Sequence, residues 1–171
     1  MPRSPFIADI VALRRHQGHR EHLAVRAPLA GLHISSSEVP PAADVELDVD
    51  LEAVEGAVVV AGTARAPWRG ECRRCLQPVE GEVATTVEEL FVTDPEEGET
   101  YAIAGDHIDL EPMAREAVVL GLPLAPLCRP DCQGLCPTCG ADLNRGPCGC
   151  PPPAADPRWA ALDALRPPLD P

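Results

Sequence analysis

The sequence predicts an α+β fold: an antiparallel β-sheet or small open barrel with one main helix, a Cys-rich segment and a short C-terminal helix. Three observations carry this. Residues 44–54 alternate apolar and acidic side chains, and a Val-rich run resumes just past Glu55-Gly56. Residues 109–121 repeat apolar side chains at helical spacing between a start and a stop signal. Six of the eight cysteines crowd into residues 128–150.

Each element follows from local chemistry. Val45, Leu47, Val49 and Leu51 alternate with Glu46, Asp48, Asp50 and Glu52, and a period of two gives a strand one buried and one wet face. Glu55-Gly56 makes a tight turn, after which Ala57 to Ala66 returns as the second strand of an antiparallel hairpin. A third strand fits Val79 to Val92, with Val83, Thr85 and Val87 on one face. Phe6 to Leu13 and His22 to Ala27 add edge strands, and the acidic, Gly-containing stretch 94–107 reads as a mobile loop.

The main helix takes Asp109 as its cap and tolerates Pro112 in its first turn, where backbone donors have no helical partner. Leu110, Met113, Ala114, Ala117 and Val118 share one face, and Gly121 and Pro123 end it. A final short helix fits Asp156 as cap, Pro157 at the first position and Arg158 to Leu165, stopped by Pro167.

Composition narrows the function. The chain of 171 residues is 45% apolar, enough for one cored domain with a small appendage. Its fourteen cations are all Arg, which together with abundant Pro and Ala points to a GC-rich bacterial genome. The net charge of −13 falls mainly on residues 75–171, with five Arg against seventeen acids. Such a surface disfavours nucleic-acid backbones, where affinity comes from cations neutralising phosphates. Any RNA contact must be local, and the densest cationic stretch holds Arg14, Arg15, Arg20 and Arg26 among three His. No secretory signal is visible, and the longest weakly polar run, Ala117 to Leu127, is broken by Gly121, Pro123 and Pro126. A bilayer span needs about 20 apolar residues. The expectation is a soluble cytoplasmic protein with no membrane partner, whose cysteines stay reduced and serve metal rather than disulfides.

The cysteines run Cys72-x2-Cys75, Cys128-x3-Cys132-x3-Cys136-x2-Cys139 and Cys148-x-Cys150. A Cys-x2-Cys turn lets two thiolates reach one metal, and tetrahedral zinc needs four such ligands. Cys136-Pro-Thr-Cys-Gly140 has the Pro and Gly of such a knuckle, and with Cys148 and Cys150 it makes one plausible site. Cys72, Cys75, Cys128 and Cys132 then remain for a second, because closing a long loop costs only logarithmically more entropy. One site drawn from Cys128, Cys132, Cys136 and Cys139, with the other thiols free, is also allowed, as is a pair of ordinary reduced thiols at Cys72 and Cys75. The reading is therefore one or two structural zinc ions.

Two catalytic readings fail on context. Cys132-x3-Cys136-x2-Cys139 has the spacing of the cluster motif in radical enzymes using S-adenosylmethionine, but those need a large α/β barrel. Cys72-Arg-Arg-Cys75 has dithiol-oxidoreductase spacing, and Arg73 and Arg74 would favour a thiolate, yet no helix pattern starts there. The His are scattered, and there is neither a Gly-rich phosphate loop nor a nucleophile elbow. The chain reads as no enzyme, with no small-molecule substrate.

Taken in order, the motifs resemble the YceD family. Four pieces carry this: Gly70-Glu-Cys-Arg-Arg-Cys-Leu76, Asp109-Leu-Glu-Pro-Met-Ala-Arg-Glu-Ala117, Leu122-Pro-Leu-Ala-Pro-Leu-Cys128 and Asp131-Cys-Gln-Gly-Leu-Cys-Pro-Thr-Cys-Gly140. Asp156-Pro-Arg-Trp-Ala-Ala-Leu162 is similar too. The resemblance implies a factor for accumulation or maturation of large-subunit ribosomal RNA, with no established catalysis. Because members vary in the Cys-rich segment, it also implies that zinc is a local staple rather than the shared functional centre. The partners expected are pre-ribosomal large-subunit RNA, a basic large-subunit ribosomal protein, or both, since an acidic surface attracts basic proteins. The expected contacts are Arg14, Arg15, Arg20, Arg73 and Arg74. Alternatives from other classes are a zinc-dependent sensor and an acidic binding module for basic proteins. The domain organisation expected is a β-rich core over 1–127, a Cys-rich zinc-binding segment over 128–150 and a Pro-rich tail with a short helix over 151–171.

Overall fold

Alternating side chains become a sheet in the computed structural model, which describes residues 4–16, 18–151, 156, 158 and 162. Its strands are β1 (Ile7–Asp9), β2 (Arg20–Pro28), β3 (Ser37–Glu38), β4 (Asp44–Val54), β5 (Ala57–Glu71), β6 (Pro78–Val92), β7 (Tyr101–Ala104) and β8 (His107–Asp109). The helix α1 spans Glu111–Gly121. The strand order is β1-β8-β7-β6-β5-β4-β2, with β3 paired to β5 beyond the end of β4. The chain divides into two compact units, Met1–Cys132 and Gln133–Pro171, and the whole sheet lies in the first.

The β4–β5 hairpin begins as expected, with Val54 opposite Ala57. The five apolar residues of β4 from Val45 to Ala53 are buried, whereas Glu46, Asp48 and Asp50 face out. Each Val or Leu so buried contributes about 1.5–3 kcal/mol. Val58, Val60, Val83, Val87 and Phe91 continue the same face across β5 and β6. All five residues of the expected helical face are buried in that core. Asp109 acts on the helix as expected, its carboxylate accepting the Glu111 N–H at 3.0 Å, although Leu110 holds the N-cap position.

Gly62 stands opposite Val49, and a Cβ there would run into the Asp48 carbonyl oxygen, so the close approach of β4 and β5 requires glycine. On the wet face, Arg20 pairs with Glu52 at 2.7 Å, His22 with Asp50 at 3.2 Å and Arg26 with Glu46 at 2.9 Å. These cross-strand pairs hold the register of β2, the last strand on that side.

Two expectations need correction. The sheet is mixed rather than antiparallel, because β7 pairs parallel to the end of β6, Phe91 with Tyr101 and Val92 with Ala102. The stretch 94–107, expected to be a loop, contains β7 and the start of β8. Its second half has a core to join: Ile103 is buried, as is Ile108 just beyond it, and the Tyr101 and Phe91 rings stack at 5.1 Å. Gly105, at φ 63°, allows the tight turn between the two strands. Residues 93–99 remain exposed and outside any strand. The expected C-terminal helix over 158–165 lies outside the described residues, except for residues 158 and 162. Among the described residues, no helix is long and apolar enough to cross a membrane.

Candidate metal centres

The eight cysteines, all free, gather into two groups of four. Within each group, all four sulfurs lie within 4.8 Å of one another.

The first group forms where the long β5–β6 hairpin turns. Cys72 and Cys75 sit in the connection between Glu71 and Pro78, closed by the Cys72 N–H on Gln77 O at 2.8 Å and the Leu76 N–H on Cys72 O at 2.9 Å. Cys128 and Cys132 arrive from the segment after α1. The Arg73 N–H donates to Pro126 O at 2.9 Å, and Arg74 Nη1 donates to Cys132 O at 2.9 Å and Pro130 O at 3.3 Å. Cys72 Sγ stands 3.8 Å from Cys132 Sγ, and Cys75 Sγ stands 3.6 Å from Cys128 Sγ. A tetrahedral zinc with Zn–S bonds of about 2.3 Å sets its sulfurs about 3.8 Å apart. The donor set and its spacing fit such an ion. Cys72, Cys75 and Cys132 are buried and Cys128 is exposed.

The second group lies within the second unit. Cys136 and Cys139 share a knuckle closed by the Gly140 N–H on Cys136 O at 2.8 Å, while Cys148 and Cys150 return past a 3-10 turn at Leu143–Arg145. Asp142 caps that turn through the Asn144 N–H at 3.0 Å. Cys136 is buried, Cys148 and Cys150 half-buried and Cys139 exposed.

The thiols divide unequally. Burial opposes a thiolate at Cys72, but the backbone N–H groups of Cys128, Arg74 and Cys75 outweigh it and hold the thiol down at about 6. Backbone N–H groups of Cys139 and Thr138 likewise draw Cys136 down to about 6. Desolvation of its sulfur and the neighbouring Cys132 and Cys75 thiols push Cys128 up to about 12, and the Cys139 and Cys148 thiols do the same to Cys150. Cys72 and Cys136 are thus the readier thiolates, whereas Cys128 and Cys150 would give up their protons only to a bound cation.

The five arginines expected to meet a partner do not converge. Arg14 and Arg15 occupy a 3-10 turn at Leu13–Arg15, where Arg14 donates to Gly105 O at 3.1 Å, and Arg20 is engaged by Glu52. Arg20 lies beside Glu52, itself opposite Val59 at the start of β5, whereas Arg73 and Arg74 follow its far end. About 40 Å of strand separates the two sets, at roughly 3.3 Å per residue. Arg74 closes the first metal group, a role with no signal in the sequence. Leu76 holds φ 60° directly after Cys75, where the second knuckle has Gly140 at φ 72°. The contrast between Cys-Leu and Cys-Gly is visible in the sequence.

Comparison with known proteins adds an independent line. A family model described as large ribosomal RNA subunit accumulation protein YceD matches residues 60–166, a span containing all eight cysteines. An uncharacterised protein of Mycobacterium tuberculosis is 42% identical over 93% of this chain and 80% of its own length. One from Mycobacterium leprae is 40% identical over 96% of this chain and 79% of its own. A maize protein named as chloroplastic homologue 1 of the same accumulation protein is 27% identical over 72% of this chain and 54% of its own length. No solved structure matches the chain. With the family model matching well over half of the residues, and the two-knuckle cysteine pattern lying inside that match, the chain belongs to the YceD family.

Proposed function

We propose that this protein is a non-enzymatic factor of large-ribosomal-subunit biogenesis, acting in the bacterial cytoplasm to support accumulation and maturation of large-subunit ribosomal RNA. The observation that carries the reading is the family match across residues 60–166. The family's description and the name of the maize relative both refer to that RNA. The two thiolate groups support a structural role. Four thiolates close the coordination of a zinc ion, leaving no position for a reacting water, so two zinc ions would brace the fold without doing chemistry. In this reading the partner is pre-ribosomal large-subunit RNA, a basic large-subunit protein, or both.

Arg15 and Arg73 are the contacts to test first, since neither side chain makes a hydrogen bond or ion pair among the described residues, whereas Arg14, Arg20 and Arg74 are engaged by the fold. The experiment is a chromosomal deletion complemented with wild type or with Arg15→Glu and Arg73→Glu, read by sucrose-gradient profiles and large-subunit RNA levels. The deletion should deplete mature large subunits and accumulate their precursors. Normal profiles in the deletion strain would overturn the reading.

A further inference from the structure

The two knuckles share a backbone and differ at its strained position. Gly140 and Leu76 each follow the second cysteine of a pair, each with positive φ, and each donates its N–H to the first cysteine's carbonyl. Left-handed φ crowds a Cβ against the backbone, and glycine escapes this. Among the described residues, Leu76 is the only other residue type found there. Nor does packing compensate it, because Leu76 is 59% exposed. The knuckle hydrogen bond holds the Leu76 backbone, so the exposed side chain kept at this strained position is what calls for a reason beyond the fold.

Leu76 lines an open groove of about 860 Å³ between the β3 segment and the turn of the β5–β6 hairpin. Ile34, Pro78 and Val79 supply apolar lining. Arg69 and Glu38 neutralise one another there, with Arg69 Nε 2.8 Å from Glu38 Oε1. Among the described residues, the Glu71 and Glu80 side chains form neither a hydrogen bond nor an ion pair, and the groove's other cation, Arg73, is likewise unengaged through its side chain. Pro78, Val79 and Glu80 also begin β6, which pairs with β7 only through Phe91 and Val92. Among the described residues, the side of β6 away from β5 has no strand partner from Pro78 to Leu90.

We propose that this groove docks an extended, cationic segment of a partner protein. The segment's backbone adds along the open start of β6, an apolar side chain seats on Leu76, and its Arg or Lys residues meet Glu71 and Glu80. The inference stands on the groove and does not rest on the ribosomal reading.

The test places a photo-crosslinker in the full chain in cells by Ser35→p-benzoylphenylalanine, because Ser35 is exposed and lines the groove. Leu120→p-benzoylphenylalanine on α1, at a residue 84% exposed, is the control. The expected adduct is a protein segment with Arg or Lys flanking an aliphatic residue. A synthetic peptide of that segment should bind the metal-loaded chain, and Leu76→Gly or the Glu71→Lys/Glu80→Lys pair should weaken it about tenfold. Leu76→Gly should leave the unfolding midpoint unchanged or raise it by roughly 2–4 °C as the strain is relieved. Adducts to RNA, to a second copy of the chain, to acidic or neutral segments, or matching those of the control would overturn the proposal. So would a Leu76→Gly protein with a lowered midpoint, since Leu76 would then serve the fold.

Discussion

Replacing Cys75 or Cys128 by Ser should uncouple two distant parts of the first unit. The sulfurs of these residues lie 3.6 Å apart and are separated by 53 positions in the chain. A crosslink closing a loop of that size removes unfolded-state entropy equivalent to about 4 kcal/mol. For a protein of this size, 1 kcal/mol moves the unfolding midpoint by roughly 2–4 °C, so losing the staple should lower it by about 8–16 °C. Cys139→Ser is the internal comparison. Its group lies wholly within Gln133–Pro171, and its loss should leave the transition of the sheet within about 2 °C. The assay is thermal unfolding followed by circular dichroism at the β-sheet band, with zinc per chain measured on the same samples. Chelation of the wild type should reproduce the Cys75→Ser curve. A Cys75→Ser protein that has lost one metal per chain yet melts with the wild type would refute the reasoning, because the thiolate group would then hold nothing together.

Three further outcomes follow from named contacts. Arg74→Met removes the donor to Pro130 O and Cys132 O; metal affinity of the first group should fall about 10–100-fold in a chelator competition, while the second group keeps its metal. Tyr101, the single tyrosine, has its ionisation pushed well above its usual range by burial and by the Glu116 carboxylate 2.8 Å from its hydroxyl. Its contribution to stability is therefore complete below the ordinary tyrosine value of about 10 and is lost as pH rises beyond it. An alkaline ultraviolet titration should show late phenolate formation, and Glu116→Gln should bring it earlier. Gly62→Ala forces a Cβ against the Asp48 carbonyl and should cost about 2–3 kcal/mol, read as a shifted urea midpoint.

Local chemistry made the hairpin and the helix legible, because their signals repeat within a few residues. The alternation in 44–54 and the apolar spacing from Leu110 to Val118 each report one buried face. What stayed hidden depends on partners far along the chain. Tyr101 to Ala104 became a strand because Phe91 offered a ring to stack on and a sheet edge to join in parallel, which composition dominated by acidic neighbours concealed. The cysteine grouping was legible as one of two options, Cys136, Cys139, Cys148 and Cys150 with the other four left for a second site, and the structure takes that option over a single site at 128–139. Spacing marked Cys72, Cys75, Cys128 and Cys132 as candidates, but only the turn of the β5–β6 hairpin brings the segment after α1 to them. Arg73 and Arg74 looked alike as neighbouring cations; the structure gives one to the metal group and leaves the other on the surface.

The long span between the halves of the first thiolate group also imposes an order of events during synthesis. The β4–β5–β6 meander is built from near neighbours and can pair as soon as Val92 has emerged. Cys72 and Cys75 then wait as half a site until Cys132 follows, with α1 in between. The four-thiolate group is thus complete only in a chain whose helix has been made, and a prematurely terminated product would lack two of the ligands for any ion it holds.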